Sequence, residues 1–317
     1  MKKIKIFGML LAMCTVGMIF SISPNAAETD IAKVMEEQSP EERIEELLKA
    51  QDNQASGIVD EEYGKIKWAI DADGNLLVVG SGEISDSPFD NRAPWMDYIY
   101  NLKTAEFHLK DITDLSFLLR SAYVKTVDLS GIDTSQVTNM EGMLNACYNL
   151  KTVNLSGFDT SRVTNMKDIF SLCGELTELD LSGWDTSNVK DMSRMFAFCK
   201  SLERVDVSGF GLSNVEDMSQ MFLWCDTLKE INLSNWDISN VKNMTSLFAH
   251  CESLKTLDVR NFDISGAETI NGMFLGCSSL ETLDLSSFDV RNVKEMHSLI
   301  RECTGLRTIK SPINCSQ

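Results

Sequence analysis

The most regular feature of the sequence is a pattern of apolar and polar positions that recurs every 26 residues. Each unit has the form Val-x-x-Met-x-x-Met-Phe-x-x-Cys-x-x-Leu-x-x-Leu-x-Leu, and the positions between are mostly polar. The cysteines mark the period, and they are Cys147, Cys173, Cys199, Cys225, Cys251, Cys277 and Cys303. Such a period predicts a stacked repeat, because one unit cannot bury its apolar side alone whereas neighbouring units bury it together.

The pattern inside each unit predicts two kinds of element. The Leu-x-x-Leu-x-Leu segment predicts a short parallel strand that pairs with the equivalent strand of the next coil, about 4.8 Å away. Residues 189–199 have apolar positions three or one apart, which predicts one or two turns of helix, with a short extended piece as the alternative. We therefore predict an α/β repeat solenoid over residues 98–312, with short parallel strands on one face and short helical turns on the other, followed by a tail at 313–317.

The repeat begins with imperfect copies. One degenerate copy has Val124 in a leucine position and Ser121 in the cysteine column. The sequence Tyr-Asn-Leu-Lys-Thr occurs twice, starting at Tyr100 and at Tyr148. The first occurrence stands closer to the next unit than the period requires, so we expect it to open a shortened, capping coil.

The N-terminal part of the chain has a different composition. Residues 1–27 join a basic start, an apolar run and small residues, which is typical of a secretory signal peptide, with an uncleaved anchor as the alternative. Residues 28–56 are expected to form an acidic linker, helical or disordered, with a helix that begins at Ser39. Residues 57–97 predict a small N-terminal β cap, built on a hairpin that turns at Asp73.

Composition narrows the classes of function. With 47 acidic and 29 basic side chains, the formal net charge is -18, so the surface repels phosphate backbones and nucleic acid is not expected as a partner. Three histidines and no recognisable catalytic, zinc or phosphate-loop motif lead us to expect no enzyme, no cofactor and no metal. No second apolar segment has the length of a membrane span, so we expect no stable membrane insertion after signal cleavage.

The repeat resembles that of the BspA-like leucine-rich repeat surface proteins of bacteria. The matching residues are "WDTSNVKDMSRMFAFCKSLERVDVSGF" and its copies, and "KWAIDADGNLLVVGSGEISD" resembles the β-rich cap that commonly precedes such repeats. The resemblance covers residues 57–312 and implies a leucine-rich-repeat-type right-handed solenoid in a secreted or surface-exposed, non-enzymatic protein of adhesion or interaction type. Many relatives carry a wall anchor, and since no wall-sorting pattern precedes Gln317, we expect release or non-covalent retention at the surface.

The seven repeat cysteines are expected to form a structural thiol ladder. Each follows the Met-Phe pair and precedes the leucine column at a fixed offset, so all should point inward as small apolar side chains. Disulfides between neighbouring coils are the alternative, since the separation allows them, but in-register side chains have unsuitable mutual orientation. Cys315 lies outside the ladder and is the thiol we expect to react.

Two further columns predict structural roles. The methionine column contains Ile270 in one coil, which indicates packing rather than metal binding. In another column, Asp185 and its equivalents are followed two residues later by a serine such as Ser187. These side chains are expected to accept hydrogen bonds from backbone N–H groups at turns. Calcium binding between coils is the alternative.

A separate set of polar residues alternates with the inward leucines along the predicted strands and should face solvent. We call this set the strand face and consider it the candidate partner-binding surface. It consists of Asp128, Asn154, Glu178, Asp180, Arg204, Asp206, Glu230, Asn232, Asp258 and Asp284. Stacked carboxylates repel by roughly 1 kcal/mol in water, and the asparagines and Arg204 relieve part of this repulsion. The alternative interpretation is a solvated polar face without a partner.

These observations together predict a binding protein. We expect it to be secreted or associated with the cell surface, and to bind a protein of the host matrix or of the bacterial envelope through the strand face. An envelope-associated scaffold for another secreted bacterial protein is the alternative, and a calcium-dependent carbohydrate binder or hydrolase is the least favoured. The sequence identifies no particular partner.

Overall fold

The computed structural model describes residues 38–59, 66–84 and 93–313. The predicted signal peptide lies outside these residues, and so does the first part of the predicted linker. The chain divides into two compact units, Met1–Arg43 and Ile44–Gln317, and the first unit is described only from Gln38 onward.

The described part of the first unit contains the start of helix α1 (Pro40–Lys49). The Ser39 hydroxyl accepts a hydrogen bond from the Glu42 N–H, and the Glu42 carboxylate accepts one from the Ser39 N–H, each at 3.2 Å. This reciprocal pair satisfies two of the backbone N–H groups that a helix start leaves open. Pro40 suits the first helical position because it has no N–H to satisfy.

The second unit opens with the rest of α1 and an antiparallel sheet. Strands β1 (Ala55–Val59), β2 (Ile66–Ile70) and β3 (Asn75–Ser81) pair in this order. Ile44 of α1 is 1% exposed and is buried against side chains of β2 and β3. From Ile44 onward the helix therefore packs on the cap sheet and is not a free linker.

The predicted hairpin joins β2 to β3. Gly74 in its turn has a φ of 89°, and a Cβ at this position would lie 2.5 Å from the backbone oxygen of Asn101. The turn conformation and the close approach both require glycine. Strand β4 (Thr104–Lys110) then pairs with β3 in parallel, so the cap leads directly into the parallel stack.

A 3-10 helix (Pro94–Tyr98) precedes β4 and carries the largest buried side chain of the cap. Trp95 is fully buried, its ring lies 5.6 Å from that of Phe107, and its indole N–H donates to the Leu118 carbonyl at 3.0 Å. This hydrogen bond satisfies the polar atom of an otherwise apolar side chain and links the cap to the first coil.

The repeat region is a parallel solenoid, as the 26-residue pattern predicts. Its strands are β5 (Thr126–Asp128), β6 (Thr152–Asn154), β7 (Glu178–Leu179), β8 (Arg204–Val205), β9 (Thr282–Asp284) and β10 (Thr308–Lys310). The first six strands of the chain form one sheet, whereas β7–β8 and β9–β10 form two separate parallel pairs. The strand side is thus regular in position but interrupted in pairing.

A second backbone ladder, outside the strands, is continuous through the stack. Single-residue parallel bridges join Asp114, Asn139, Asn165, Asp191, Asp217, Asn243, Thr269 and Glu295 in succession. Each of these residues belongs to a different coil, so eight successive coils are held in register by this ladder.

The stretch between this ladder and the cysteine is built of tight turns, and the prediction of helical turns there is wrong. In one coil, Gly142 and Ala146 have left-handed φ values of 59° and 60°. Their N–H groups donate to the next coil at 2.8 and 2.7 Å, whereas those of Met143 and Cys147 donate three residues back at 3.2 and 3.3 Å. A helix would use its N–H groups internally, so these turns are what lets each coil bond to the next. Nowhere in the described residues does a helix combine the length and apolar character that crossing a membrane requires.

One coil is a residue shorter than the others. The Thr138 N–H donates to Thr113 O, 25 residues earlier, whereas the Thr164 N–H donates to Thr138 O, 26 residues earlier. This shift puts Ala122, which is fully buried, in the cysteine column. The prediction that Ser121 occupies that column is therefore wrong, because it assumed an unbroken period.

The core consists of columns of equivalent side chains, one from each coil. The central column is Phe170, Phe196, Phe222, Phe248 and Phe274, all fully buried, with ring centroids of neighbours 5.2 to 6.1 Å apart. Burying one such side chain contributes about 1.5–3 kcal/mol. Because each ring packs on the rings above and below, most of this stabilisation exists only when the coils are stacked.

Candidate functional site

The strand face lies on the outward side of the short strands. Eight of its members are exposed and two are half-buried, the half-buried ones being Asp128 and Asp284. Between them, Leu179 and Val205 point into the core and are 8% and 6% exposed. This alternation follows from the two-residue period of a strand. The structure thus brings the ten predicted residues together as one outward-facing set.

Most of these side chains also bind their own backbone. In seven successive coils, an Asp or Asn oxygen accepts a hydrogen bond from the N–H two residues later, at 2.9 to 3.2 Å. The acceptors are Asp128, Asn154, Asp180, Asp206, Asn232, Asp258 and Asp284. Each side chain closes the turn that follows its strand. Seven of the ten predicted residues therefore have a structural task in addition to being on the surface.

The sequence contains a signal for this second task. Asp180 stands two residues before Ser182, in the same Asp-x-Ser form as Asp185 and Ser187. The structure gives both pairs the same hydrogen bond, from serine N–H to aspartate oxygen, at 3.0 and 2.9 Å. The alternation of Asp180 with leucines indicated only an outward strand position, and so its turn-closing role was missed.

The hydrogen bonds keep these carboxylates ionised. The Ser182 N–H lowers the pKa of Asp180. A side-chain hydrogen bond from Arg260 lowers the pKa of Asp258 to about 2, and one from Lys310 lowers the pKa of Asp284 to about 2. In each case the donor favours the charged form of the acid. These groups are therefore acceptors and negative charges at neutral pH, and poor proton donors.

Three strand-face residues have no structural task of this kind. Glu178, Arg204 and Glu230 occupy one column in consecutive coils, and all three are exposed. Within the described part of the chain, their side chains make no hydrogen bond or ion pair. Their charges alternate in sign, so neighbours in the column attract rather than repel one another. Of the ten predicted residues, these three are the most available to a partner.

The seven repeat cysteines are free thiols, six of them buried and Cys303 half-buried. Each S–H donates to a backbone carbonyl 28 or 29 residues earlier, at 3.0 to 3.2 Å. Cys199, for example, donates to Phe170 O at 3.1 Å. The column thus supplies hydrogen bonds between coils in addition to apolar packing. Cys315 lies outside the described residues.

The environment of the thiols disfavours their reactive form. Burial raises the pKa of Cys147, Cys199 and Cys277 to about 12. The thiolate, which is both the nucleophile and the metal ligand, is therefore scarce in this column at neutral pH. Across the described ranges, no group of three or more His, Cys, Asp or Glu side chains is arranged to hold a metal ion.

Comparison with known proteins gives one match among solved structures. The chain is similar to a leucine-rich repeat protein from Eubacterium ventriosum, with 18% sequence identity and a TM-score of 0.38 over 81% of this chain and 85% of that one. The comparison with curated proteins gives no match.

A family profile matches the repeat region twice, over residues 113–231 and 197–313. The family is described as Mycoplasma protein of unknown function, DUF285. The two matches overlap and together span the stacked coils from the first bridge of the continuous ladder to the end of the described chain. Since they cover more than half of the sequence, the chain belongs to the DUF285 family.

Proposed function

We propose that this protein is a secreted or surface-exposed repeat scaffold that binds a protein partner through its strand face. The observation that carries the proposal is the column of Glu178, Arg204 and Glu230, which are exposed and engage no other group of the described chain. A solenoid fixes such side chains about one strand spacing apart, roughly 4.8 Å. A partner therefore meets charges whose spacing is already set, which lowers the ordering cost of binding.

The charges around this column indicate the chemistry of the partner. Asp180 and Asp206 lie on the same strands as Glu178 and Arg204, and their lowered pKa values keep them negative. A complementary surface would place basic side chains opposite the carboxylates and an acidic one opposite Arg204. Because the carboxylates are poor proton donors, the site supports binding better than catalysis.

The extracellular setting is supported by the sequence. Residues 1–27 have the composition of a secretory signal peptide. The resemblance of the repeats to BspA-like surface proteins supports adhesion as the purpose of binding. Both the location and the adhesive role are parts of this proposal and call for experiment.

Capture followed by charge reversal tests the proposal. The protein would be incubated with host matrix and bacterial envelope fractions, and each captured protein titrated against the wild type and a variant. The variant Glu178→Lys/Arg204→Glu/Glu230→Lys reverses all three charges. We expect it to weaken binding at least about tenfold, because each reversed side chain then faces a like charge.

A matched control is Glu252→Lys, which changes the net charge by the same amount at an exposed position in the turn after Cys251. It should bind as the wild type does. Unchanged binding by the triple variant would refute the strand face as the binding surface. Capture from the envelope fraction alone would favour a scaffold for another bacterial protein over an adhesin.

A further inference from the structure

The fold brings three tyrosines and three lysines together at one edge of the first coils. The set, here called the Tyr–Lys ladder, consists of Tyr100, Tyr123, Tyr148, Lys103, Lys125 and Lys151. The two Tyr-Asn-Leu-Lys-Thr segments supply four of them, and a shorter copy between these segments, Tyr-Val-Lys-Thr, supplies the other two. The strand-face proposal uses none of these residues.

Backbone hydrogen bonds fix the ladder in register. The Lys125 N–H donates to Lys103 O at 2.8 Å, and the Lys151 N–H donates to Lys125 O at 2.9 Å. The Tyr123 N–H donates to the carbonyl of Ile99, the residue before Tyr100, at 3.0 Å. Tyrosines and lysines therefore follow one another from coil to coil at about the strand spacing of 4.8 Å.

The tyrosines are exposed where the rest of the stack hides its aromatic side chains. Tyr100, Tyr123 and Tyr148 are 70%, 42% and 47% exposed, and the rings of the first two lie 5.2 Å apart. Between residues 93 and 290 of the described chain, these three are the exposed large apolar side chains. Solvent-facing tyrosines supply flat apolar surface together with a hydroxyl, a combination enriched in binding sites.

The lysines form an uncompensated run of positive charge. Lys103, Lys125 and Lys151 are all exposed, and none forms an ion pair with another described residue. Further along the same column, Lys229 pairs with Glu203 of the preceding coil at 2.6 Å. Stacked like charges repel one another, so this run costs stability that the later coils avoid, and an anionic ligand would remove that cost.

We propose that the Tyr–Lys ladder binds an anionic polysaccharide whose chain runs along the stack, with acidic groups on the lysines and sugar faces on the tyrosines. The equal spacing of three Tyr–Lys pairs suits a ligand made of repeated acidic units better than the irregular surface of a folded protein. The net charge of -18 disfavours nucleic acid, which carries a denser charge than a polymer with one acid per sugar.

Binding of polygalacturonate to the full-length chain, measured by titration at low salt, tests the proposal. The variant Lys103→Gln/Lys125→Gln/Lys151→Gln should bind at least about tenfold more weakly, since it loses three charge contacts. Tyr100→Ser/Tyr123→Ser/Tyr148→Ser should also weaken binding. Neutral dextran should not bind, and added salt should weaken the interaction with polygalacturonate.

The control variant Lys190→Gln/Lys242→Gln/Lys294→Gln removes the same charge from exposed lysines of another column. Equal weakening by this control would overturn the proposal, because it would show attraction to net charge alone. No binding of polygalacturonate by the wild type would also overturn it, as would tighter binding of a single-stranded oligothymidylate. Unchanged binding by the strand-face variant would show that the ladder acts independently of the proposed protein-binding surface.

A measurement on the wild type does not depend on the folding of any variant. Lysine acetylation would be quantified by mass spectrometry with and without polygalacturonate. Lys103, Lys125 and Lys151 should be protected by the polymer, while Lys190 and Lys255 should not. Uniform protection of all lysines, or none at these three, would refute the site.

Discussion

A single side chain of this repeat can serve the backbone and the surface at once. Asp206 is exposed on the strand face, yet one of its oxygens accepts the Ser208 N–H at 3.0 Å and closes a turn. An equivalent residue stands in every coil from Asp128 to Asp284. Repetition therefore indicates structure even at an exposed position, and a residue that breaks its column, such as Arg204, is the better candidate for function.

Turn closure by aspartate can be separated from its charge at Asp185. Its carboxylate accepts the Ser187 N–H at 2.9 Å, and the interior coils repeat the arrangement. Asp185→Ala should lower the free energy of unfolding by about 1 kcal/mol, because the N–H loses its acceptor. Asp185→Asn keeps the acceptor and should cost less than half as much. Urea unfolding checks both values, and equal losses would mean that charge, not the hydrogen bond, is what matters.

Acid should destabilise the protein through Asp258 and Asp284. Both have a pKa of about 2 in the folded protein, against about 4 in an unfolded chain. A carboxylate with a lowered folded pKa contributes stability that is fully present above about pH 4 and is lost as the pH falls towards 2. Urea midpoints measured at about pH 5 and about pH 2.5 should therefore differ.

The variant Asp258→Asn/Asp284→Asn separates these two residues from the other acids. It retains the turn hydrogen bonds but cannot titrate, so its midpoint should fall less between the two pH values. If both proteins lose the same stability in acid, other carboxylates set the acid limit and the assignment to these two is wrong.

At the scale of the element, the requirements of the neighbouring coils decide the conformation. The apolar spacing in residues 189–199 suits a helix, and the helix prediction was reasonable for one isolated unit. In the stack, the N–H groups of Arg194 and Phe198 donate to the next coil at 2.9 and 2.7 Å, and both residues have positive φ. The sequence of a single unit cannot show this, because the acceptors belong to another unit.

Phe196 should carry a large share of the stability of its coil. It is fully buried, and its ring lies 5.9 Å from that of Phe170 and 5.2 Å from that of Phe222. Phe196→Ala should lower the free energy of unfolding by about 3–5 kcal/mol, because the cavity lies between two neighbours that cannot collapse into it. Phe198→Ala, at a half-buried position two residues on, is the control and should cost clearly less. Similar melting curves for the two variants would contradict the assignment of the core.

At the scale of the whole molecule, the period alone predicted the stack, its parallel strands and its inward columns. It could not predict the 25-residue coil, because one missing residue is visible only when backbone partners are known. That coil also brings Tyr123 and Lys125 into line with Tyr148 and Lys151. The most specific surface of the molecule thus depends on a departure from the period that defines its fold.

Removing one complete coil should leave a folded protein. Deletion of residues 184–209 joins equivalent positions, because Phe210 takes the place of Trp184 in its column. Since each coil contacts mainly its neighbours, the shortened chain should unfold cooperatively with reduced stability. Deletion of residues 184–196 breaks the register and should abolish cooperative unfolding. Circular dichroism melting distinguishes the two, and failure of the first deletion to fold would mean that the coils are not interchangeable.

The column of buried thiols has one more consequence. Each sulfur from Cys147 to Cys277 is shielded by the coils around it and held in the protonated form. An alkylating reagent can reach it only while those coils are apart. Pulse labelling read out cysteine by cysteine would therefore map how often each joint of the stack opens, so the protein carries a built-in set of opening reporters at 26-residue intervals.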